Sequence, residues 1–228
     1  LRPEDDGTVG EQLQRANEAA GWLTQFIKRG HDLVVVHGNG PQVGQVLIQM
    51  EEAAAKVPPG TVDFAVAETE GGMGFLLELA LRNRLRSQHL RGEVSTVLGH
   101  RNSESFKGIN DLTFDGEGNL WFTDQGQSGL HDPSGRVYRL RPNGQLDCVV
   151  NGVPSPNGLV VDDARKALFV AATRANAVWR GPVQASGSVT KMAAFQTFFG
   201  TSGPDGLALD VEGRLCMAHG SLAGTFVM

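Results

Sequence analysis

Asn110, Asn157 and Asp205 each stand near the start of a similar segment. The segments read INDLTFDGEGNLWFTD, PNGLVVDDARKALFVAAT and PDGLALDVEGRLCMAHG, and their lead residues lie 47 and 48 positions apart. Amide and carboxylate oxygens together suit a hard divalent cation such as Ca2+. A cation held by them could polarise a carbonyl and lower the pKa of a bound water. Equally, Pro-Asn-Gly and Pro-Asp-Gly are turn sequences in which the side chain bonds to nearby backbone. Spacing alone leaves both readings open. A second candidate is HGNGPQVG at 37–44. Gly38 and Gly40 let the backbone come close to a ligand, a following helix would point free N–H groups at it, and Asn39 adds an amide. That describes an anion or carbonyl cradle; the alternative is a tight strand-to-helix turn with no ligand. The motif lacks the Lys-Ser/Thr of a Walker A loop, and its last glycine spacing is one residue too long for G-x-G-x-x-G.

The elements around these residues come in two styles. Up to about residue 90 the pattern predicts an α/β fragment. Leu13, Ala16, Ala20, Leu23 and Ile27 fall at helical spacing, and Gly30 suits a C-cap. The continuous apolar run at 33–36 predicts a strand buried on both faces of a parallel sheet. A helix follows with Pro41 at its first position, VPPG ends it, and GGMGFLLELALRNRLRSQ predicts another helix with basic residues at its C-terminal end. Strand, glycine loop and helices are a piece of a doubly wound fold. From about residue 100 short strands with turn signals take over. Repeats of 47 and 48 residues made of short strands are the signature of β-propeller blades. GRVYRL, NAVWRG and GTFV repeat within them as alternating inner strands, and RPNGQ is a hairpin turn. In a propeller the lead residues of the innermost strands converge on one channel, so Asn110, Asn157 and Asp205 are expected to meet there.

Composition narrows the partners. The chain has 228 residues, 40 % hydrophobic and 20 % charged, as a globular protein should be. A net charge of −5 disfavours nucleic acid or an anionic membrane as the main partner. No apolar run approaches the roughly 20 residues of a bilayer span, and the first residues show no signal-peptide pattern. The chain does not begin with Met, so a fragment or processed product is expected. Cys148 and Cys216 read as buried thiols in a reducing, cytoplasmic setting. Trp121, Tyr138 and Trp179 are expected to pack the blades. His131 and His219 lie in polar loop patterns that suggest surface or supporting roles. Asp124 either lines the channel or closes a turn.

The segments FKGINDLTFDGEGNLWFTDQGQSGLHDPSGRVYRLRPNGQLD, VPSPNGLVVDD and SGPDGLALDVEGRLCMAHG resemble the gluconolactonase, senescence-marker-protein and luciferin-regenerating-enzyme family, over about residues 92–228. The resemblance implies a six-bladed propeller that hydrolyses sugar lactones or related esters with one divalent cation, Ca2+ first and Zn2+ or Mn2+ as alternatives. It implies metal ligation by Asn157 and Asp205, with Asn110 facing both substrate and metal and Asp205 acting as general base. The family's first-blade Glu has no counterpart here, and Gly108 stands where some members carry Arg. About 130 residues also fall short of the roughly 280 that six blades of this repeat length require.

The stretch from about residue 8 to 90, with HGNGPQVG and the TEGGMGF…ALRN helix, resembles carbamate kinase of the amino-acid-kinase family. That resemblance implies contact of Gly38, Asn39 and Gly40 with a carbamoyl or phosphoryl group, and ATP or ADP with Mg2+ as cofactor. The family's glycine-rich first strand, catalytic lysines and nucleotide lobe are missing; Lys28 and Lys56 match none of its motifs. Phosphoryl transfer depends on those parts.

The sequence therefore predicts a mixed chain: a kinase-like α/β fragment over 1–95, then about three blades of a propeller over 96–228, with a junction between about 90 and 105. The expected chemistry is metal-dependent lactone or ester hydrolysis on a small-molecule substrate, impaired by the incomplete ring. A second copy is the expected partner for the exposed blade edges. Carbamate-kinase phosphoryl transfer, and an inactive hybrid chain, are the alternatives.

Overall fold

A computed structural model of the chain describes residues 5–95, 97–98, 100–101 and 104–228. The chain divides into two compact units, Leu1–Leu98 and Gly99–Met228.

The first unit consists of three helices: α1 (Val9–Lys28), α2 (Gly40–Ala53) and α3 (Val62–Ser87). Thr8 opens α1 with a reciprocal cap, its side chain accepting from the Glu11 amide while the Glu11 carboxylate accepts from the Thr8 amide at 2.9 Å. Gly30 follows the end of α1 with φ +86°, a value that favours glycine. Pro41 sits in the first turn of α2, where its missing N–H costs little. Thr61 caps α3, which starts some ten residues before the expected GGMGF stretch and ends with Arg84 and Arg86. Ala16 and Ala20 of α1 pack on Ala80 and Leu81 of α3, small residues that let two helices approach.

The doubly wound sheet expected of this half is absent among the described residues. The run at 33–36 forms no strand, and no backbone hydrogen bond joins it to another described residue. A parallel strand exists only by bonding to neighbouring strands, and this unit supplies none. The EVSTVL stretch forms no strand in its described residues either; its Thr96 lies outside them, as does the Leu1–Glu4 start. What remains is an open apolar cavity of about 530 Å3 beside the unpaired run, lined in part by Trp22, Leu23, Val35, Val36, Met73 and Leu77.

The second unit is sheet-rich and resembles part of a propeller. A two-stranded pair, β1 (His100–Arg101) and β2 (Glu104–Ser105), precedes three antiparallel sheets. The first sheet is β3 (Ile109–Phe114), β4 (Leu120–Asp124), β5 (Gly135–Leu140) and β6 (Leu146–Val153). The second is β7 (Pro156–Asp162), β8 (Ala167–Ala172), β9 (Ala177–Pro182) and β10 (Ala193–Thr197). The third has β11 (Pro204–Leu209), β12 (Leu215–His219) and β13 (Gly224–Val227). Strands follow one another in space as in sequence. GRVYRL, NAVWRG and GTFV are thus third strands rather than innermost ones.

The registers of the three sheets coincide. Ile109, Leu112 and Phe114 face Asp124, Phe122 and Leu120; Pro156, Leu159 and Val161 face Ala172, Val170 and Leu168; Pro204, Leu207 and Leu209 face His219, Met217 and Leu215. The Asp that ends each Leu-x-apolar-Asp run closes the first turn of its sheet. Asp115 accepts from the amides of Glu117 and Asn119 and from the Trp121 indole, Asp162 from Arg165, and Asp210 from Glu212 and Arg214. Burial pushes the Asp115 carboxyl up, but these bonds outweigh it and hold it below the usual carboxylate range.

Two apolar clusters join the sheets. Trp121, Val137 and Val150 of the first sheet meet Leu159, Leu168 and Val170 of the second. Val160, Phe169 and Val178 on the second sheet's other face meet Leu215 and Met217 of the third. The first strands run side by side, β7 between β3 and β11. Gly158 makes the second approach possible, because a Cβ there would collide with the backbone of Asp205, Gly206 and Leu207. Replacing Gly158 by Ala is expected to cost about 1–3 kcal/mol by overpacking, read as a lower denaturation midpoint for the β-sheet signal; an unchanged midpoint would show that β11 can give way.

Candidate functional site

The repeated register puts Asn110, Asn157 and Asp205 at the second position of three neighbouring first strands. Asn110 and Asn157 are half-buried, and Asp205 is exposed. The Asn157 side chain and the Asp205 carboxylate make no hydrogen bond with any described residue, so their oxygens are available. The Asn157 main-chain carbonyl is not: it accepts from the Thr123 hydroxyl at 2.9 Å.

Asn110 is held from behind. Its amide nitrogen donates to Gln125 Oε1, and the Gln125 amide donates in turn to the Ser155 hydroxyl. Ser155 is itself fixed, with φ +55° and its N–H given to Ser128 Oγ at 3.1 Å. This chain leaves the Asn110 Oδ1 as the free atom of the amide. Asp111, the next residue, was not singled out by the sequence pattern. It is half-buried and accepts from the amides of Leu112 (2.8 Å) and Leu159 (3.2 Å), strapping the first sheet to the second. Burial is the main cause that raises its pKa, with the nearby Asp205 charge adding to it against those two bonds. The signal was present in the repeat, since the corresponding positions in the other copies are Gly158 and Gly206.

Oxygen donors of this kind fit a hard cation in type. Asn157, Asp205 and Asn110 supply at most four side-chain oxygens, fewer than the six to eight ligands Ca2+ takes. Among the described residues no group of three His, Cys, Asp or Glu side chains could hold a metal.

Asp124 neither closes a turn nor opens to solvent. It is 1 % exposed; its Oδ1 accepts from the amides of Lys107 (2.7 Å) and Gly108 (2.8 Å), while Oδ2 has no partner. Burial raises its pKa, opposed by those bonds and by the charges of Arg136 and Lys107. His219, expected in a surface or supporting place, is 2 % exposed. Its Nδ1 accepts from the Leu222 amide at 3.3 Å, so Nε2 carries the proton and donates to Asn176 Oδ1 at 3.2 Å. It ends β12, and the turn residues that follow it give its surroundings the look of a polar loop. His131 is exposed. Trp121 and Tyr138 are fully buried in the first sheet, and Trp179 packs at the edge of the first inter-sheet cluster. Cys148 and Cys216 are free thiols, each half-buried rather than fully so.

In the first unit, Gly38, Asn39 and Gly40 lie just before and at the start of α2. Asn39 spends both amide hydrogens on α3, donating to the Val66 carbonyl and the Thr69 hydroxyl at 2.9 Å each. A Cβ on Gly38 or Gly40 would meet nothing within 4 Å, so packing within the unit does not require glycine there.

A model of the SMP-30/Gluconolactonase/LRE-like region matches residues 40–227. Among solved structures, a putative gluconolactonase is 26 % identical with a TM-score of 0.52, over 60 % of this chain and 49 % of that one. A gluconolactonase from Xanthomonas campestris is 24 % identical with a TM-score of 0.51, over 60 % and 48 %, and supports the fold alone. The chain is also similar to carbamate kinases: 35 % identical to that of Pyrococcus horikoshii over 94 residues, and 39 % to carbamate kinase 1 of Enterococcus faecium over 95. These matches cover 40 % and 41 % of this chain but only 30 % and 31 % of the kinases. The chain thus spans about a third of the curated relatives it matches and about half of the gluconolactonase structures.

The unpaired Asp124 oxygen makes a test of the environment described. Because its pKa is raised on folding, the folded protein binds the proton more readily than the unfolded chain, so stability gained through this group grows as pH falls. Relative to Asp124→Asn, the wild type is expected to gain stability from neutral pH down through the acid range, measured by denaturation at a series of pH values. A difference that stays flat with pH would contradict the raised pKa.

Proposed function

The chain belongs to the SMP-30/gluconolactonase/LRE-like family, and from that premise we propose that its sheet unit carries part of a metal-dependent lactone- or ester-hydrolysing site. The observation that carries this reading is the placement of Asn110, Asn157 and Asp205 at one register position of three adjacent strands, with the Asn157 and Asp205 side-chain oxygens unspent. A bound divalent cation, Ca2+ first and Zn2+ or Mn2+ as alternatives, would supply Lewis acidity toward a carbonyl. Asn157 and Asp205 would hold it. Asp205, the exposed carboxylate, would take a proton from the attacking water, and Asn110, with its amide nitrogen committed to Gln125, would present Oδ1 to substrate and metal. Three sheets supply too few donors by themselves, so the activity of a single chain is expected to be impaired or absent. The free thiols accord with a cytoplasmic setting.

Carbamate-kinase chemistry at 38–40 is the second reading, carried by the 35 % and 39 % identities. The structure works against it at Asn39, whose amide hydrogens tie the turn to α3.

Lactone hydrolysis with added Ca2+, Zn2+ or Mn2+, run beside Asp205→Ala, separates the readings. Cation-dependent turnover that falls at least about tenfold in Asp205→Ala is expected; turnover that survives the substitution removes Asp205 from the site. ATP formation from carbamoyl phosphate and ADP would favour the kinase reading instead.

A further inference from the structure

Among the described residues, the third sheet ends the series with an exposed face and the first sheet with a partly covered one, and the repeated register shows what each was built to meet. Within the chain, the contact between consecutive sheets follows one rule. The residue after the lead position leans on the next sheet's first strand: Asp111 accepts from the Leu159 amide, and Gly158 lies against Asp205, Gly206 and Leu207. The receiving side is built from the fourth and sixth residues of the first strand and their partners in the second. In the second sheet these are Leu159, Val161, Leu168 and Val170, and in the third Leu207, Leu209, Leu215 and Met217.

Gly206 is the next position in that series, and nothing lies within 4 Å of where its Cβ would be. The face it belongs to continues through Ala208, Cys216, Ala218, Thr225 and Val227, by the pairings of β11, β12 and β13. It is uncharged, and all but Cys216 are exposed. At the other end of the series, the receiving positions of the first sheet are Leu112, Phe114, Leu120 and Phe122. Phe114 is 53 % exposed and Leu112 half-buried, while Leu120 and Phe122 are already buried within the chain. Phe106, which packs edge-on against Phe122 and Tyr138, stands four residues before Asn110, as Val153 stands before Asn157. Val153 is fully buried in the contact between the first two sheets.

We propose that the third sheet of one copy seats on the first sheet of a second copy, and the reverse, so that two chains close one ring of six sheets. Three features favour this occupant. The same register rule that joins the sheets inside the chain extends across both free faces. Their sizes are complementary, Gly, Ala and Cys on one and Phe and Leu on the other, where the internal contacts pair Trp121 and Phe169 with Val and Leu. The three sheets also align with about half of a gluconolactonase chain, so two copies supply the whole. A head-to-tail contact that closes at two copies leaves no further free face. The Asn110, Asn157 and Asp205 sets of the two copies would then line one channel, completing the donor count. The proposal rests on the propeller reading but not on lactone chemistry.

Sedimentation analysis of the full chain at tens of micromolar tests it without any turnover. The wild type is expected at twice its 24.3 kDa mass. Gly206→Ala, which blocks the approach of another first strand as a Cβ at Gly158 would, and Ala218→Arg and Phe114→Arg on the two faces, are expected to shift it to monomer by at least about tenfold in dissociation constant, with circular dichroism unchanged. A monomeric wild type, an open-ended series of oligomers, or a dimer that survives both Arg variants would overturn it. A dimer that dissociates as expected yet hydrolyses no lactone would support the ring and remove the chemistry alone.

Discussion

How closely one first strand can lie on the next governs the sheet unit. Where β7 meets β11, a hydrogen atom at Gly158 is all the space allows. Where β3 meets β7, the same position carries Asp111, which turns proximity into a bond to the Leu159 amide. Around these contacts three further ties between sheets repeat at the same interval. Gly116 donates to Asp163, Arg139 to the Ser186 carbonyl and Arg165 to the Gly213 carbonyl, each joining residues 47 or 48 apart. The period of the sequence is therefore also the spacing of several cross-sheet hydrogen bonds. The lead residues come together because the strands that carry them are pressed together at the next residue along.

Much of this was legible in the residues. The Leu-x-apolar-Asp runs announced both the strand and the turn, because the Asp carboxylate has one local use, to collect the amides that follow it. Alternation placed Trp121 and Tyr138 in the packing. The supports of the site were harder to see. Gln125 and Ser155 matter through a hydrogen-bond chain that joins residues 15 and 30 positions apart, and no local pattern encodes it. Asp111 departs from the glycine of its two counterparts, which only a comparison of the copies reveals. His219 was misplaced because a strand's last residue is flanked by turn chemistry on one side, and the polar neighbours masked its burial.

The first unit shows the opposite failure. Its helices, caps and C-terminal glycine followed local rules and formed. The strand at 33–36 followed a local rule as well, but a buried parallel strand is defined by neighbours rather than by itself. Apolar runs predict burial; they do not supply the partners. Asn39 illustrates the same point from the side of function. Its amide hydrogens go to a carbonyl and a hydroxyl of α3, a tie across the chain that no pattern around the glycine turn announces.

That unpaired run has a consequence for how the polypeptide behaves in the cell. Four consecutive aliphatic residues with free backbone groups, next to a largely solvent-facing Trp22, form the kind of segment that chaperones hold and that recruits like segments into cross-β stacks. The apolar run of β8, Ala167–Ala172, is by contrast buried throughout and paired with a strand on each side. The helical portion is thus the part of the chain more open to such recruitment.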